Sequence, residues 1–314
     1  MVCTLIAECC QNHNGSREIL KRMVHAAAES GADYAKIQAL RSTELSKRDR
    51  FENGITDKDG AVLVIKRPYE AERDRLSKLD LSDDDERWFA DECKRAGVKS
   101  MITAFTRFST QRFVAAGFDA VKVASYDCKS VALLQEVAAN FKTVYISTGA
   151  TLDEEISAAS KIFSSGQASF LHCVTIYPTP LDQLHLNRMA WLKQFSDQVG
   201  FSDHTAPAST DLRASKLAIT LGADVLERHF TILEPHETRD GAVSATPEQM
   251  QELRNFSLLS VDERKEKLDV EWPEWQIGLG QETRPLSPTE LLNRDYYAGR
   301  VAAWVDGEQI SNQF

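Results

Sequence analysis

Two lysines, two histidines and two carboxylates stand in stretches of this sequence where charge is costly. Lys36 lies in the apolar run Tyr34–Ala39 and Lys122 in Ala120–Ser125. A charged side chain inside a strand-like run costs free energy unless it meets a partner. One such lysine could be a structural ion pair. Two buried ammonium groups call for anions, and a phosphate with a carboxylate would satisfy both. Ser147-Thr148-Gly149 closes another apolar run. It adds hydroxyl and backbone N–H donors of the kind that cradle phosphate oxygens. Together these residues describe a pocket for a small phosphorylated acid.

His204 and His229 end the last two apolar runs. Their imidazoles could meet at one divalent cation with positions left for water and substrate. Glu8, Glu227 and Asp240 are the carboxylates expected beside them. Such an ion would act as a Lewis acid on a carbonyl oxygen. Other histidines read as structural. His172 sits inside a run before Cys173, and His25 and His185 read as surface.

What must position these residues is a repeating unit of a β-rich apolar run, a polar turn and an amphipathic helix. The strand candidates are Cys3–Glu8, Tyr34–Ala39, Ser100–Phe105, Ala120–Ser125, Thr143–Thr148, Ser169–Val174, Val199–His204 and Val225–Thr231. The helix candidates are Ser16–Ser30, Asp83–Ala96, Thr110–Ala115, Val131–Asn140, Leu152–Phe163, Leu186–Phe195, Ala208–Leu221 and Pro247–Leu259. Several end on a glycine, the expected stop signal. Strands alternating with helices imply parallel pairing through right-handed crossovers. Eight units over about 260 residues predict an α/β fold of the closed (βα)8 type, a TIM barrel. A doubly wound open sheet is the alternative. It would need a polar edge strand, and there is none; nor does G-x-G-x-x-G follow the first run.

A barrel carries its active site at the C-terminal ends of its strands. The residues above fall at those ends, as do Gln38, Thr103, Ser125-Tyr126-Asp127, Thr175 and Tyr177. The insertion Leu40–Leu81 follows the second strand and holds Arg41, Lys47, Arg48, Arg50, Lys66, Arg67 and Arg73. It is either a solvated loop or a basic cover that meets an anionic or polyhydroxy substrate.

The chain of 314 residues has a formal net charge of -10. An acidic chain with no basic run is a poor partner for nucleic acid or an anionic membrane. It has no long apolar run and its first residues lack a signal-peptide pattern, so a cytoplasmic enzyme is expected. Six scattered cysteines read as reduced thiols packed in the core. Residues 1–262 are expected to form the catalytic barrel and 263–314 an extension packed upon it. Within the extension, 261–267 reads as a charged helix end or linker and 271–288 as an extended segment. Asp306-Gly307 marks a hairpin turn.

At these residues the sequence resembles the sialic acid synthases, with the related legionaminic and pseudaminic acid synthases. The resemblance is carried by Ile6-Ala7-Glu8 with Asn12-His13-Asn14-Gly15, Gly31 through Gln38, Val121-Lys122-Val123-Ala124-Ser125 and Ile146-Ser147-Thr148-Gly149. It continues in Leu171-His172-Cys173 with Tyr177-Pro178-Thr179-Pro180, in Gly200 through Thr205, and in Gly222 through Thr231. It implies condensation of phosphoenolpyruvate with open-chain N-acetylmannosamine or a similar amino sugar. It places Lys36, Gln38, Thr103, Lys122, Ser147, Gly149 and Tyr177 on phosphoenolpyruvate, and His204 and His229 on manganese, with magnesium or cobalt as alternatives. It places Glu8, Glu227 and Asp240 toward the sugar and a metal-bound water. Ser125, Asp127 and Thr175 are expected to complete the substrate contacts. A homodimer is also implied.

Three departures concern the acceptor side. Asp127 stands where the family usually has glutamate, after Tyr126 rather than glycine. Thr175 stands where asparagine is common. The family's C-terminal antifreeze-like domain, which caps a partner's site, has no counterpart, so the tail or the Leu40–Leu81 insertion would have to replace the cap. Two rival readings are a metal-dependent barrel aldolase or hydrolase on another sugar, and a non-catalytic binding member.

Overall fold

The computed structural model describes residues 2–312; Met1, Gln313 and Phe314 lie outside the described residues. Eight strands follow the expected runs: β1 (Thr4–Cys10), β2 (Tyr34–Gln38), β3 (Lys99–Ala104), β4 (Ala120–Val123), β5 (Val144–Ser147), β6 (Ala168–Cys173), β7 (Val199–Asp203) and β8 (Val225–His229). All pair in parallel and in sequence order, and β8 closes on β1. The fold is the (βα)8 barrel that the alternating pattern predicts.

Side chains alternate along each strand, so the register sorts the interior into layers. The lower layer takes one residue from each strand: Ile6, Tyr34, Met101, Ala120, Tyr145, Leu171, Gly200 and Val225. Seven of these form one buried apolar cluster. Gly200 has no space for a Cβ, which would run into the carbonyl of Val225. The next layer toward the C-terminal ends is polar: Glu8, Lys36, Thr103, Lys122, Ser147, Cys173, Ser202 and Glu227, all buried. The apolar layer thus seals the barrel beneath a polar one.

The outer helices are α1 (Arg17–Glu29), α2 (Asp83–Ala96), α3 (Thr110–Ala116), α4 (Val131–Asn140), α5 (Asp153–Ser160), α6 (Arg188–Leu192), α7 (Arg213–Thr220) and α8 (Pro247–Leu258). Their termini have local causes. Ser82 caps α2 reciprocally with Asp85, acids fill its first turn, and Gly97 ends it at φ 79°. The helix expected over Ala208–Leu221 is broken, because Asp211 and Leu212 both adopt positive φ. The break separates a short turn, Pro207–Thr210, from α7 and lets Ser215 reach Asp203.

Arg228 and Asp203 point outward from β8 and β7 and are fully buried against the helices. They pair at 2.5 Å. Arg228 also donates to the Thr205 carbonyl at 2.7 Å, and Asp203 accepts from the Thr205 N–H and from Ser215.

The insertion after β2 is folded rather than a bare loop. It holds a hairpin of Ile55–Thr56 with Val62–Val64 and a helix, Tyr69–Ser77. Beyond the barrel come α9 (Val261–Glu271) and α10 (Pro288–Tyr297). The expected boundary at residue 262 falls within α9, whose N-terminus is fixed by Ser260 and Glu263. Nor does the sequence reading anticipate α10. Its signal is Ser287-Pro288-Thr289-Glu290, a capping box with proline in the first turn. The hairpin around Asp306-Gly307 forms with both turn residues at positive φ.

The extension grips the C-terminal face of the barrel. Arg294 pairs with Glu155, Asn293 donates to the Thr175 carbonyl, Trp304 to the Thr43 carbonyl and Asn312 to the Phe105 carbonyl. Phe51 of the insertion packs edge-on against Tyr296 of α10, with ring centroids 5.2 Å apart. Among the described residues no helix is long and apolar enough to cross a membrane. All six cysteines are free and buried.

Candidate active site

The polar layer forms the floor of a cavity of about 540 Å³ at the C-terminal face. Lys36 Nζ donates to Glu8 Oε2 and, at 2.9 Å, to Thr103 Oγ1, with Glu227 Oε2 at 3.7 Å. Lys122 Nζ donates to Ser147 Oγ at 2.6 Å and has Glu227 Oε1 at 3.6 Å. Ser202 donates to that same oxygen at 2.8 Å. The backbone N–H of Cys10 donates to Glu8 Oε1 at 2.7 Å. Two ammonium groups and two carboxylates therefore lie interleaved across the floor.

Their electrostatics differ. Burial pulls the Lys36 pKa down, but Glu227 and Glu8 outweigh it and the net shift is upward. Burial also pulls Lys122 down; there Glu227 offsets it incompletely, the like charge of Lys36 adds to the pull, and the net shift is downward. Burial pushes Glu227 up, yet the two lysines prevail and hold it at about 2. Lys122 is the ammonium short of negative charge, so an arriving anion gains most beside it.

Twelve of the residues expected from sequence line this cavity: Glu8, Lys36, Gln38, Thr103, Lys122, Ser125, Ser147, Tyr177, His204, Glu227, His229 and Asp240. Three do not. Gly149 stands behind the wall, where its N–H donates to Ser125 Oγ at 3.1 Å. A Cβ there would come within 2.7 Å of the Thr175 methyl, so Gly149 gives close packing rather than a wall. Thr175 is wholly buried behind it. Asp127 is turned away by the tight turn Ser125–Asp127. It accepts from Ser130 at 2.8 Å and from Asn312 at 3.0 Å.

The mouth is built from parts with no strand pattern. The insertion contributes Arg67, Glu72 and Arg75, and α10 contributes Thr289, Asn293 and Tyr297, with Arg300 just beyond it. Glu72 receives Arg75 and Arg300 together. Tyr297 stacks on Tyr126, with centroids 4.3 Å apart and planes 13° from parallel. Of the basic residues singled out in the insertion, only Arg67 reaches the cavity. Arg41 is instead held by Asp83 and Glu86.

Residues 23–260 match the NeuB family. The chain belongs to the NeuB family. The N,N'-diacetyllegionaminic acid synthase of Legionella pneumophila is 30% identical over 261 residues, covering 81% of this chain and 70% of the relative. The human N-acetylneuraminate-9-phosphate synthase is 27% identical over 308 residues, covering 96% and 78%. The solved N-acetylneuraminic acid synthetase of Leptospira borgpetersenii superposes with a TM-score of 0.68 at 22% identity, over 94% of this chain and 91% of that one. That likeness establishes the same fold.

The residues of this NeuB chain fit a divalent cation. His229 Nδ1 is buried without a hydrogen-bond partner, and Asp240 Oδ2 lies 3.9 Å away. His204 stands beside it, ring centroids 5.4 Å apart. Burial, with His229 beside it, holds the His204 pKa far below the usual range, leaving the neutral imidazole that a ligand must be. Among the described residues, Cys10, His229 and Asp240 also bring their ligand atoms within 4.8 Å of one another. His204 Nδ1 faces the Cys173 sulfur at 3.7 Å.

Asp127 titrates as a measure of how the extension docks. Burial raises its pKa to about 6, against hydrogen bonds from Asn312 and Ser130 that lower it. A raised carboxyl binds more protons folded than unfolded, so its stabilising contribution is full below about pH 4 and is lost as pH rises through about 6. We expect the unfolding free energy of the wild type to fall, relative to Asp127→Asn, by on the order of 2 kcal/mol across that window. Urea melts of both proteins between pH 4 and 7 check this; parallel pH profiles would refute it.

Proposed function

We propose that this chain condenses phosphoenolpyruvate with the aldehyde carbon of an open-chain N-acylated amino sugar such as N-acetylmannosamine, giving a nonulosonic acid and inorganic phosphate. The observation that carries this reading is the interleaved polar floor. Lys36 and Lys122 are buried over a sealed apolar layer, with Glu8 and Glu227 their only ion-pair partners among the described residues. Phosphoenolpyruvate brings a carboxylate and a phosphate on one small skeleton, so it can match both ammonium groups at once. Several relatives' names, an N,N'-diacetyllegionaminic acid synthase and an N-acetylneuraminate-9-phosphate synthase among them, point the same way.

In the reaction, C3 of phosphoenolpyruvate forms a bond to the aldehyde carbon, whose oxygen becomes a hydroxyl. Positive charge builds at C2, water adds there, and the tetrahedral species expels phosphate by C–O cleavage. A divalent ion held by the His204–His229 corner would polarise the aldehyde oxygen. Lys122 and Ser147 form the pair best suited to the phosphate oxygens. Glu8 is fixed by Lys36 on one oxygen and the Cys10 N–H on the other. It is suited to stabilise the charge at C2 or to take a proton from the attacking water. The arginines and tyrosines of the mouth supply the donors and ring faces that a polyhydroxy acceptor needs.

Phosphate should be released only when phosphoenolpyruvate, a divalent cation and an N-acylated aldose are combined. The panel comprises N-acylated mannosamines, other acetamido sugars and their phosphates. No release with any of them would sink the reading. Thermal stabilisation by pyruvate but not by phosphoenolpyruvate would favour a barrel aldolase instead.

A further inference from the structure

The thiol of the cysteine at the end of β1 plays no part in the chemistry above, yet the residue lines the cavity. We infer that Cys10 binds the divalent cation as a thiolate, together with His229 and Asp240, and that it turns the site toward zinc or cobalt and away from manganese or magnesium. The inference rests on the metal-dependent reading of this site.

Three observations carry it. First, the Cys10 thiol donates to Asp240 Oδ2 at 3.0 Å, and the ligand atoms of Cys10, His229 and Asp240 all lie within 4.8 Å of one another. Second, His229 Nδ1 is buried and makes no hydrogen bond, so a donor atom of this cluster has no protein partner. Third, the backbone is bent to present the thiol. The β1–β2 register shifts between Glu8 and Cys10, and Cys10 takes φ 46°. A bulge re-aims the side chains on either side of it. The left-handed region strains an L-residue but not glycine. The chain thus carries a side chain where the backbone alone would favour none.

The chemistry follows from ligand softness. When the ion binds, the thiol proton leaves to solvent and a sulfur–metal bond forms, with no change of oxidation state. Thiolate and imidazole donors suit zinc and cobalt; an all-oxygen shell suits magnesium and manganese.

The test is an anaerobic titration of the metal-free protein with cobalt(II), read by absorption. The wild type should develop a sulfur-to-cobalt charge-transfer band that saturates at one equivalent. Cys10→Gly, which suits the local φ and so retains the fold, should lose the band. Cys173→Ser, which removes the thiol beside His204, should keep it. Competition should show cobalt losing roughly tenfold or more of its preference over manganese in Cys10→Gly. Sulfur scattering in the X-ray absorption spectrum of the cobalt-loaded wild type gives the same answer without a variant. No charge-transfer band in the wild type, or one that survives in Cys10→Gly, overturns the inference. Binding of phosphoenolpyruvate to the metal-free wild type, read by thermal shift, tests the proposed reaction separately. Its failure would leave a Cys10-dependent cobalt band intact.

Discussion

Replacing Lys122 with methionine should lower kcat/KM for phosphoenolpyruvate by roughly 10²–10⁴-fold, the equivalent of about 3–5 kcal/mol. Lys122 sits in the polar layer with Ser147 at 2.6 Å and Glu227 Oε1 at 3.6 Å. Its pKa is lowered because one shared carboxylate does not offset burial. Bound phosphoenolpyruvate would supply the missing charge; without Lys122 its phosphate would meet Ser147 and a repelling Glu227. Methionine keeps the length of the side chain, so the loss reports charge rather than volume. Steady-state phosphate release measures it. Thermal shift gives a second readout, since phosphoenolpyruvate should stabilise the wild type and not Lys122→Met. A variant within about tenfold of wild type would show that this ammonium does not hold the substrate.

Arg228→Met should destabilise the fold by about 3–5 kcal/mol, the usual cost of stripping one partner from a buried ion pair. Arg228 and Asp203 are both fully buried, on paired positions of β8 and β7. Without Arg228, the Asp203 carboxylate keeps only its hydrogen bonds from Thr205 and Ser215. A second change, Asp203→Asn, removes the stranded charge and should recover part of the loss. Urea unfolding of the single and double variants at neutral pH measures both terms. If Arg228→Met alone fell by less than about 1 kcal/mol, the pair would be incidental to stability.

Much of this is legible in the sequence. Each barrel strand is a β-rich run bounded by turn residues, so all eight appear close to their expected limits. Lys36, Lys122 and Glu227 were conspicuous because charge inside such a run needs a reason. The cavity rim was opaque for the opposite reason. Arg75, Asn293 and Arg300 come from a helical insertion and a C-terminal helix, where a polar side chain is ordinary and no periodicity tells where it points. Asp127 was misplaced by a single tight turn, because strand alternation ceases to hold one residue past Ser125. Cys10 reads from the sequence as core packing, since a buried thiol looks the same there whether it packs or binds. The bulge that aims it leaves no mark in the residue pattern.

The docking of α10 has a consequence for when the protein becomes competent during its own synthesis. Every strand of the barrel has been translated by His229, so the charged floor can assemble while the rest of the chain is still being made. Thr289, Asn293, Tyr297 and Arg300 emerge after His229, and they form one side of the mouth. Under the proposed function, a nascent chain would own an anion-attracting basin before it owned the rim that selects a sugar. Ribosome-bound intermediates should then capture the small anion indiscriminately, and acceptor selection should follow only once α10 and Arg300 have emerged.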